Sequence, residues 1–226
     1  MARFSRLQVY EALLEVGVVP LFHHDDPDIA LEVVRAVAAG GGRVLEFTNR
    51  GDHAHEVFTE LERACRRDLP EVVLGAGSVV DPATAALYLN LGAGFVVAPS
   101  FDPDVARVCN RRKVAYIPGC ATPTEIGRAE EAGCEIVKAF PGDAVGGPGF
   151  VAALRGPSPW TRVMPTGGVE PTEESLKAWF DAGAACVGLG SKLIRKELVE
   201  ARDWDALTAE VRATLEIVAR HRPSPR

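Results

Sequence analysis

Apolar, β-branched residues cluster in eight short runs along the chain, at 18–22 (VVPLF), 44–48 (VLEFT), 72–77 (VVLGAG), 95–99 (FVVAP), 115–118 (AYIP), 136–140 (IVKAF), 162–166 (RVMPT) and 185–190 (ACVGLG). Each has the length and composition of a buried strand. Between them lie helical patterns with the usual punctuation, a proline or capping residue at the start and a glycine at the end. The pattern at 28–37 stops at Gly40, that at 82–91 at Gly92, that at 123–132 at Gly133 and that at 171–182 at Gly183. Eight strands alternating with helices, at roughly 20 to 30 residues per unit, predict an α/β fold, a single (β/α)8 TIM barrel of parallel strands. An open doubly wound sheet is the competing arrangement, and the even spacing favours closure. No linker, charge block or low-complexity segment interrupts the chain, so residues 1–226 are expected to form one domain. Residues 1–16 read as an extra N-terminal helix capping one end of the barrel, and 221–226 (HRPSPR) as a frayed tail.

Composition narrows the function more than the fold. Hydrophobic residues make up 47% of the 226 and charged residues 25%, which suits a substantial core. A net charge of -6 and the lack of a basic stripe argue against nucleic acid as a partner. No apolar run approaches the roughly 20 residues of a membrane span. The amphipathic start, MARFSRLQVYEALLEVG, lacks the apolar core and small-residue cleavage site of a secretory signal. The five cysteines, at 65, 109, 120, 134 and 186, form no CxxC pair and read as reduced core thiols. A cytoplasmic location, with no membrane partner, is the expectation.

One strand carries a charge at odds with its burial. In CEIVKAFPGD, residues 134–143, Lys138 is the only lysine of the predicted strands, and a buried ammonium is expensive unless it is paired, neutral or functional. Two readings are open. The amine pairs with a carboxylate or reaches the rim of the sheet, or it is held in a pocket for covalent chemistry. A barrel of this kind works at the C-terminal ends of its strands, where the polar residues are few. Glu46, Thr48 and Arg50 close the second strand and share its parity. Ser78 follows the third, Thr166, Gly167 and Gly168 follow the seventh, and Gly190 and Ser191 follow the eighth.

An amine, a carboxylate and a guanidinium converging in a water-poor interior can form an iminium with a ketone, move protons and hold an α-carboxylate bidentately. Burial and the fixed charge of Arg50 both favour the neutral, nucleophilic amine at Lys138. The turns PTGG and GLGS supply backbone N–H groups and the hydroxyls of Thr166 and Ser191, at the two strands where barrels often hold phosphate. Either turn alone better suits a structural role, and the two together, at these strands, favour the phosphate reading. His23-His24-Asp25-Asp26 and Asp52-His53-Ala54-His55 carry metal-ligand side chains. Two adjacent loop histidines do not easily converge on one ion, so no metal is expected.

Taken in order, these motifs resemble the class I 2-keto-3-deoxy-6-phosphogluconate (KDPG) / 4-hydroxy-2-oxoglutarate (KHG) aldolase family. The resemblance rests on VVP at 18–20, RVLEFTNR at 43–50, GAGSV at 75–79, IPG at 117–119, VKAFP at 137–141, MPTGG at 164–168 and GLGS at 188–191, and it spans residues 17–195 or thereabouts. It implies a (β/α)8 barrel, a homotrimer and an aldehyde-lyase that needs no cofactor. Such an enzyme cleaves a phosphorylated 2-keto-3-deoxy sugar acid to pyruvate and glyceraldehyde 3-phosphate, or 4-hydroxy-2-oxoglutarate to pyruvate and glyoxylate. By the same resemblance Lys138 would form the Schiff base with pyruvate, and Glu46 would be the acid/base, acting through a water. Arg50 would hold the pyruvate carboxylate, helped by Ser78 where the family usually has threonine. Phe140 would pack beside the amine, and Thr166 would face the hydroxylated carbons. Gly167, Gly168, Gly190 and Ser191 would line the phosphate end.

Two stretches depart from the family pattern. AFPGDAVGGPG follows the lysine where better-known members have FFPAE and a different loop, and EFTNRGD replaces EVTLRT. Both bear on the identity of the aldehyde partner, and the gluconate and galactonate isomers stay equally open. Two rival functions compete. A sugar-phosphate isomerase or epimerase would need a base but no Schiff-base lysine. A non-catalytic phosphosugar-binding barrel would use Lys138 merely to pair with Glu46.

Overall fold

The computed structural model describes residues 2–223. Its strands are β1 (Val18–Phe22), β2 (Val44–Thr48), β3 (Val73–Gly77), β4 (Phe95–Val97), β5 (Ala115–Ile117), β6 (Gly119–Cys120), β7 (Val137–Ala139), β8 (Val163–Pro165) and β9 (Val187–Leu189). The helices are α1 (Arg6–Val16), α2 (Pro27–Ala39), α3 (Ala54–Asp68), α4 (Pro82–Leu91), α5 (Pro103–Arg112), α6 (Pro123–Glu131), α7 (Gly147–Arg155), α8 (Glu173–Asp181), α9 (Lys196–Ala201) and α10 (Trp204–His221). Helices α2, α4, α5 and α6 each start on a proline placed directly after an Asp or Thr whose side chain accepts from the first-turn N–H groups. Proline loses nothing there, because that N–H has no partner inside the helix.

All the strand ladders are parallel. Six strands form a curled sheet in the order β5-β4-β3-β2-β1-β9, so the first and last strands of the chain are neighbours, and β6-β7-β8 form a second sheet. In place of the single eight-stranded sheet expected, the hydrogen bonds thus divide into two sets. The break falls at Pro118, which has no N–H to give a ladder and separates β5 from β6. Contacts that span the sheets include Gly119 N–H donating to the Ala98 carbonyl at 2.9 Å, Ala185 N–H donating to the Val163 carbonyl at 2.8 Å and an isolated parallel bridge of Thr166 with Gly188.

Strand parity divides the apolar side chains into two cores. Val137, Val163 and Val187 point outward and join the larger cluster, which lies between strands and helices. Val44, Val73, Phe95, Ile117, Ile136, Met164 and Cys186 point inward, and Val9 and Leu13 of α1 pack against them. Ser5 and Gln8 cap α1 reciprocally, and α1 covers the N-terminal end of the interior. Val9 and Leu13 are fully buried there, each contributing about 1.5–3 kcal/mol. At the other end of the chain, His221 closes α10 and Arg222 donates to the Leu14 carbonyl at 3.4 Å, so this part of the expected tail is docked; residues 224–226 lie outside the described residues. No helix among the described residues is long and apolar enough to cross a membrane.

Toward the C-terminal ends of the strands the inward positions change from apolar to polar or glycine. Glu46 lies beside Gly75 and Thr48 beside Gly77, while Lys138 stands between Gly119 and Met164. The glycines make the room. A Cβ on Gly77 would come within 1.8 Å of Glu46 Oε1, and one on Gly119 within 2.0 Å of the Pro99 carbonyl oxygen. Because the second neighbour is backbone, it cannot rotate away. Gly119→Ala should destabilise the fold by about 1–3 kcal/mol or more, the usual range of an overpacked core. A denaturant midpoint unchanged from wild type would show that the two sheets are not held against each other at this point.

Candidate active site

Lys138 and Glu46 are the two charged side chains that the inward parity drives into the interior, and they are 6% and 1% exposed. Glu46 is the middle residue of β2, and Lys138 the middle residue of β7. Among the described residues, no carboxylate oxygen lies within 4.0 Å of Lys138 Nζ. The ammonium sits instead over the Phe140 ring, 4.5 Å from its centroid. Glu46 Oε2 has no hydrogen-bond partner, and neither has Thr166 Oγ1, although both atoms are buried. Orphaned polar atoms at the end of a cavity are groups that a ligand or a water satisfies.

Burial governs the protonation of the pair. It pushes the Glu46 carboxyl above the ordinary glutamate range, against the opposing pull of Lys138 and Arg50. It pushes the Lys138 amine below the ordinary lysine range, with Glu46 acting the other way and Arg50 adding to the depression. Loss of hydration therefore outweighs mutual attraction at both groups, and the neutral amine, the nucleophilic form, gains population. The reading in which Lys138 merely pairs with Glu46 requires a contact that the geometry does not contain.

Both residues open into a cavity of ≈ 680 Å³. All ten residues to which the family resemblance gives a role line it: Glu46, Arg50, Ser78, Lys138, Phe140, Thr166, Gly167, Gly168, Gly190 and Ser191. Backbone geometry explains several of these placements. Gly167 and Gly168 hold φ of 89° and 71°, and Ser78 holds φ 57°, so these turns use left-handed conformations that keep the chain close to the cavity. Gly188 leaves space for Thr166, since a Cβ there would come within 2.3 Å of Thr166 Oγ1. Arg50 is exposed at the rim, and its guanidinium makes no hydrogen bond among the described residues.

Other lining residues were not assigned a substrate role from the sequence: Thr48, His23, His24, Lys192 and Lys196. Thr48 Oγ1 donates to the Phe22 carbonyl at 3.2 Å and ties β2 to β1. His23 faces Asp25 through Nε2 at 2.9 Å and the Thr48 carbonyl through Nδ1 at 3.2 Å. His24 Nδ1 accepts the Asp26 N–H at 3.0 Å. The signal was present, since these histidines directly follow β1 and Lys192 directly follows Ser191. What obscured it was that paired histidines beside aspartates invite a metal reading first. Among the described residues no group of three or more His, Cys, Asp or Glu side chains is arranged to hold a metal ion.

The chain matches the family model described as "KDPG and KHG aldolase" over residues 9–210. It belongs to the KDPG/KHG aldolase family. The 2-dehydro-3-deoxy-phosphogluconate aldolase of Treponema pallidum is 34% identical to it over 212 residues, covering 94% of this chain and 98% of that one. Among solved structures, the KDPG aldolase of Legionella pneumophila, with pyruvate captured as a covalent carbinolamine, superposes with a TM-score of 0.81 at 27% identity, covering 90% of this chain and 96% of that one. A protein cage designed by fusing symmetric oligomeric domains matches with a TM-score of 0.78 at 30% identity, covering 90% of this chain and 74% of that one.

The depressed amine has a measurable consequence for stability. Because the folded pKa of Lys138 is lowered, the penalty for burying it is absent above the ordinary lysine value of 10.5 and grows as pH falls toward the lowered one. Lys138→Met should melt above wild type at pH 7, by about 2–4 °C for each kcal/mol of penalty relieved. The advantage should shrink as pH rises toward 10. Melting curves across this pH range check it, and a variant melting below wild type at pH 7 would show that its surroundings stabilise the charged amine.

Proposed function

We propose that this chain is a class I aldolase that cleaves KDPG, or a closely related phosphorylated 2-keto-3-deoxy sugar acid, to pyruvate and glyceraldehyde 3-phosphate. The observation that carries the reading is the buried Lys138 amine, open to a cavity and without a carboxylate in contact, in a chain of this family. The amine adds to the C2 ketone, and loss of water leaves an iminium. Glu46, through a water, takes the proton of the C4 hydroxyl as the C3–C4 bond breaks. The aldehyde departs and the electron pair enters the iminium, giving an enamine. Protonation at C3 and hydrolysis then release pyruvate and restore the amine.

Arg50 and Ser78 hold the substrate carboxylate, Phe140 flanks the amine and Thr166 meets the hydroxylated carbons. Gly167, Gly168, Gly190 and Ser191 hold the phosphate. The family description also covers 4-hydroxy-2-oxoglutarate, which presents the same 2-keto-4-hydroxy acid to Lys138, so cleavage to pyruvate and glyoxylate is part of the reading. Neither a cofactor nor a metal enters any step.

The wider organisation follows the same reading. Residues 1–226 form one domain, a (β/α)8 barrel in which β5 and β6 act as one strand; the Gly119–Ala98 hydrogen bond and the Thr166–Gly188 bridge support closure. A homotrimer is the expected assembly, and the match to a cage built from symmetric oligomeric domains supports a closed oligomer. The cytoplasm is the expected location, supported by five cysteines that are all free and buried.

Pyruvate with sodium borohydride should add one reduced pyruvyl group, on Lys138. An unmodified peptide 136–142 from protein that retains cleavage activity would exclude the Schiff base and favour an isomerase-like or purely binding role. Glu46→Gln keeps the shape of the side chain but removes the proton acceptor, and it should lower kcat by roughly 10²–10⁴-fold. Arg50→Ala should chiefly raise the KM. If Glu46→Gln altered KM alone, its role as the base would be lost.

A further inference from the structure

The cavity holds two cations that the mechanism does not use, Lys192 and Lys196. Lys192 directly follows Ser191, and its Nζ lies 3.0 Å from Glu170 Oε1. Glu170 stands two residues beyond Gly168, so this ion pair spans the two glycine turns. Lys196 is engaged elsewhere, pairing with Glu200 one turn along α9 at 3.4 Å. Arg195 is held by Glu210 of α10.

Two features single out Lys192. Its pair is open to water, with the side chains 62% and 44% exposed. Exposed pairs of this kind contribute little, so the ammonium is easily exchanged for another anion. The second feature is a carboxylate at the glycine turn itself. A Cβ on Gly168 would fall 2.9 Å from Asp143 Cγ, so an anion arriving at that turn meets the field of Asp143 as well as the backbone N–H groups. A cation is needed to offset that field. The buried Thr166 hydroxyl, unpartnered and in the same cavity, marks this wall as one that receives a ligand.

We propose that Lys192 is a specificity-determining residue that grips the distal anion of the substrate, and that Glu170 is the anion it gives up to do so. The proposal rests on the aldolase reading above and names what selects the substrate's far end. Glu170 is a monoanion competing for one ammonium. A neutral hydroxyl terminus does not displace it, whereas a phosphate monoester, with up to two charges and three acceptor oxygens, does. The pair thereby acts as a threshold that rewards dianionic termini over neutral ones.

The test compares KM and kcat for KDPG and for its unphosphorylated analogue, 2-keto-3-deoxygluconate, in wild type, Lys192→Gln, Lys192→Arg and Glu170→Gln. Lys192→Gln should raise the KM for KDPG about tenfold, equivalent to ~1.4 kcal/mol, with a much smaller change for the analogue. Lys192→Arg should recover most of the loss, because its charge is retained. Glu170→Gln should lower the KM for KDPG, since the competitor is gone. Equal shifts on both substrates, or a Glu170→Gln variant that binds KDPG more weakly, would overturn the proposal and make the pair a brace between the turns. Pyruvate trapping on wild type separates the two levels. Normal trapping with an unmoved phosphate preference sinks only the role of Lys192, whereas no trapping sinks the aldolase reading beneath it.

Discussion

Taking the Lys138 amine and the Glu46 carboxyl out of water disfavours the charged form of each, and without a direct contact between them their mutual attraction offsets that penalty only in part. Much of the surrounding structure is what makes such an arrangement tolerable. Inward apolar side chains fill the N-terminal half of the strands, and α1 covers that end with Val9 and Leu13. Glycines at 77, 119 and 188 take the places where a side chain would press on Glu46, on the Pro99 carbonyl or on Thr166. The interior is thus packed below the pair and open above it, so desolvation and access to a ligand coexist.

Charge is graded along the cavity. Near the amine, Arg50 at the end of β2 offers an unpaired guanidinium, and its field reinforces the neutral state of Lys138. Beyond the turns that follow β8 and β9, the cations are held by carboxylates, Lys192 by Glu170 and Lys196 by Glu200. Under the function proposed above, the free cation is the one that receives the acid group of the substrate and the competed-for cation the one that receives its phosphate. Sites held on strand ends and short turns suit this division, because the ladder fixes the spacing while the turns vary.

The order and parity of residues carried a large part of this without coordinates. Apolar runs and glycine punctuation located each strand to within a few residues, because burial of both faces leaves an uninterrupted apolar signature. Residues 46 and 138 were conspicuous because ionisable side chains are rare inside parallel strands. The resemblance to a known family added roles that no spacing rule supplies.

Other features depended on the folded chain. Pro118 is an apolar residue at the end of an apolar run, and only the hydrogen-bond pattern shows that it divides the sheet there. The missing contact between Lys138 and Glu46, the orphaned Thr166 hydroxyl and the Glu170–Lys192 pair all depend on how strands and turns far apart in sequence pack together. The sequence by itself determined which side chains enter the interior, since alternation along a strand is a property of the local backbone. Only the tertiary structure decided which of them meet, how much water they lose and which ions they keep, because distance and desolvation belong to the packed chain as a whole.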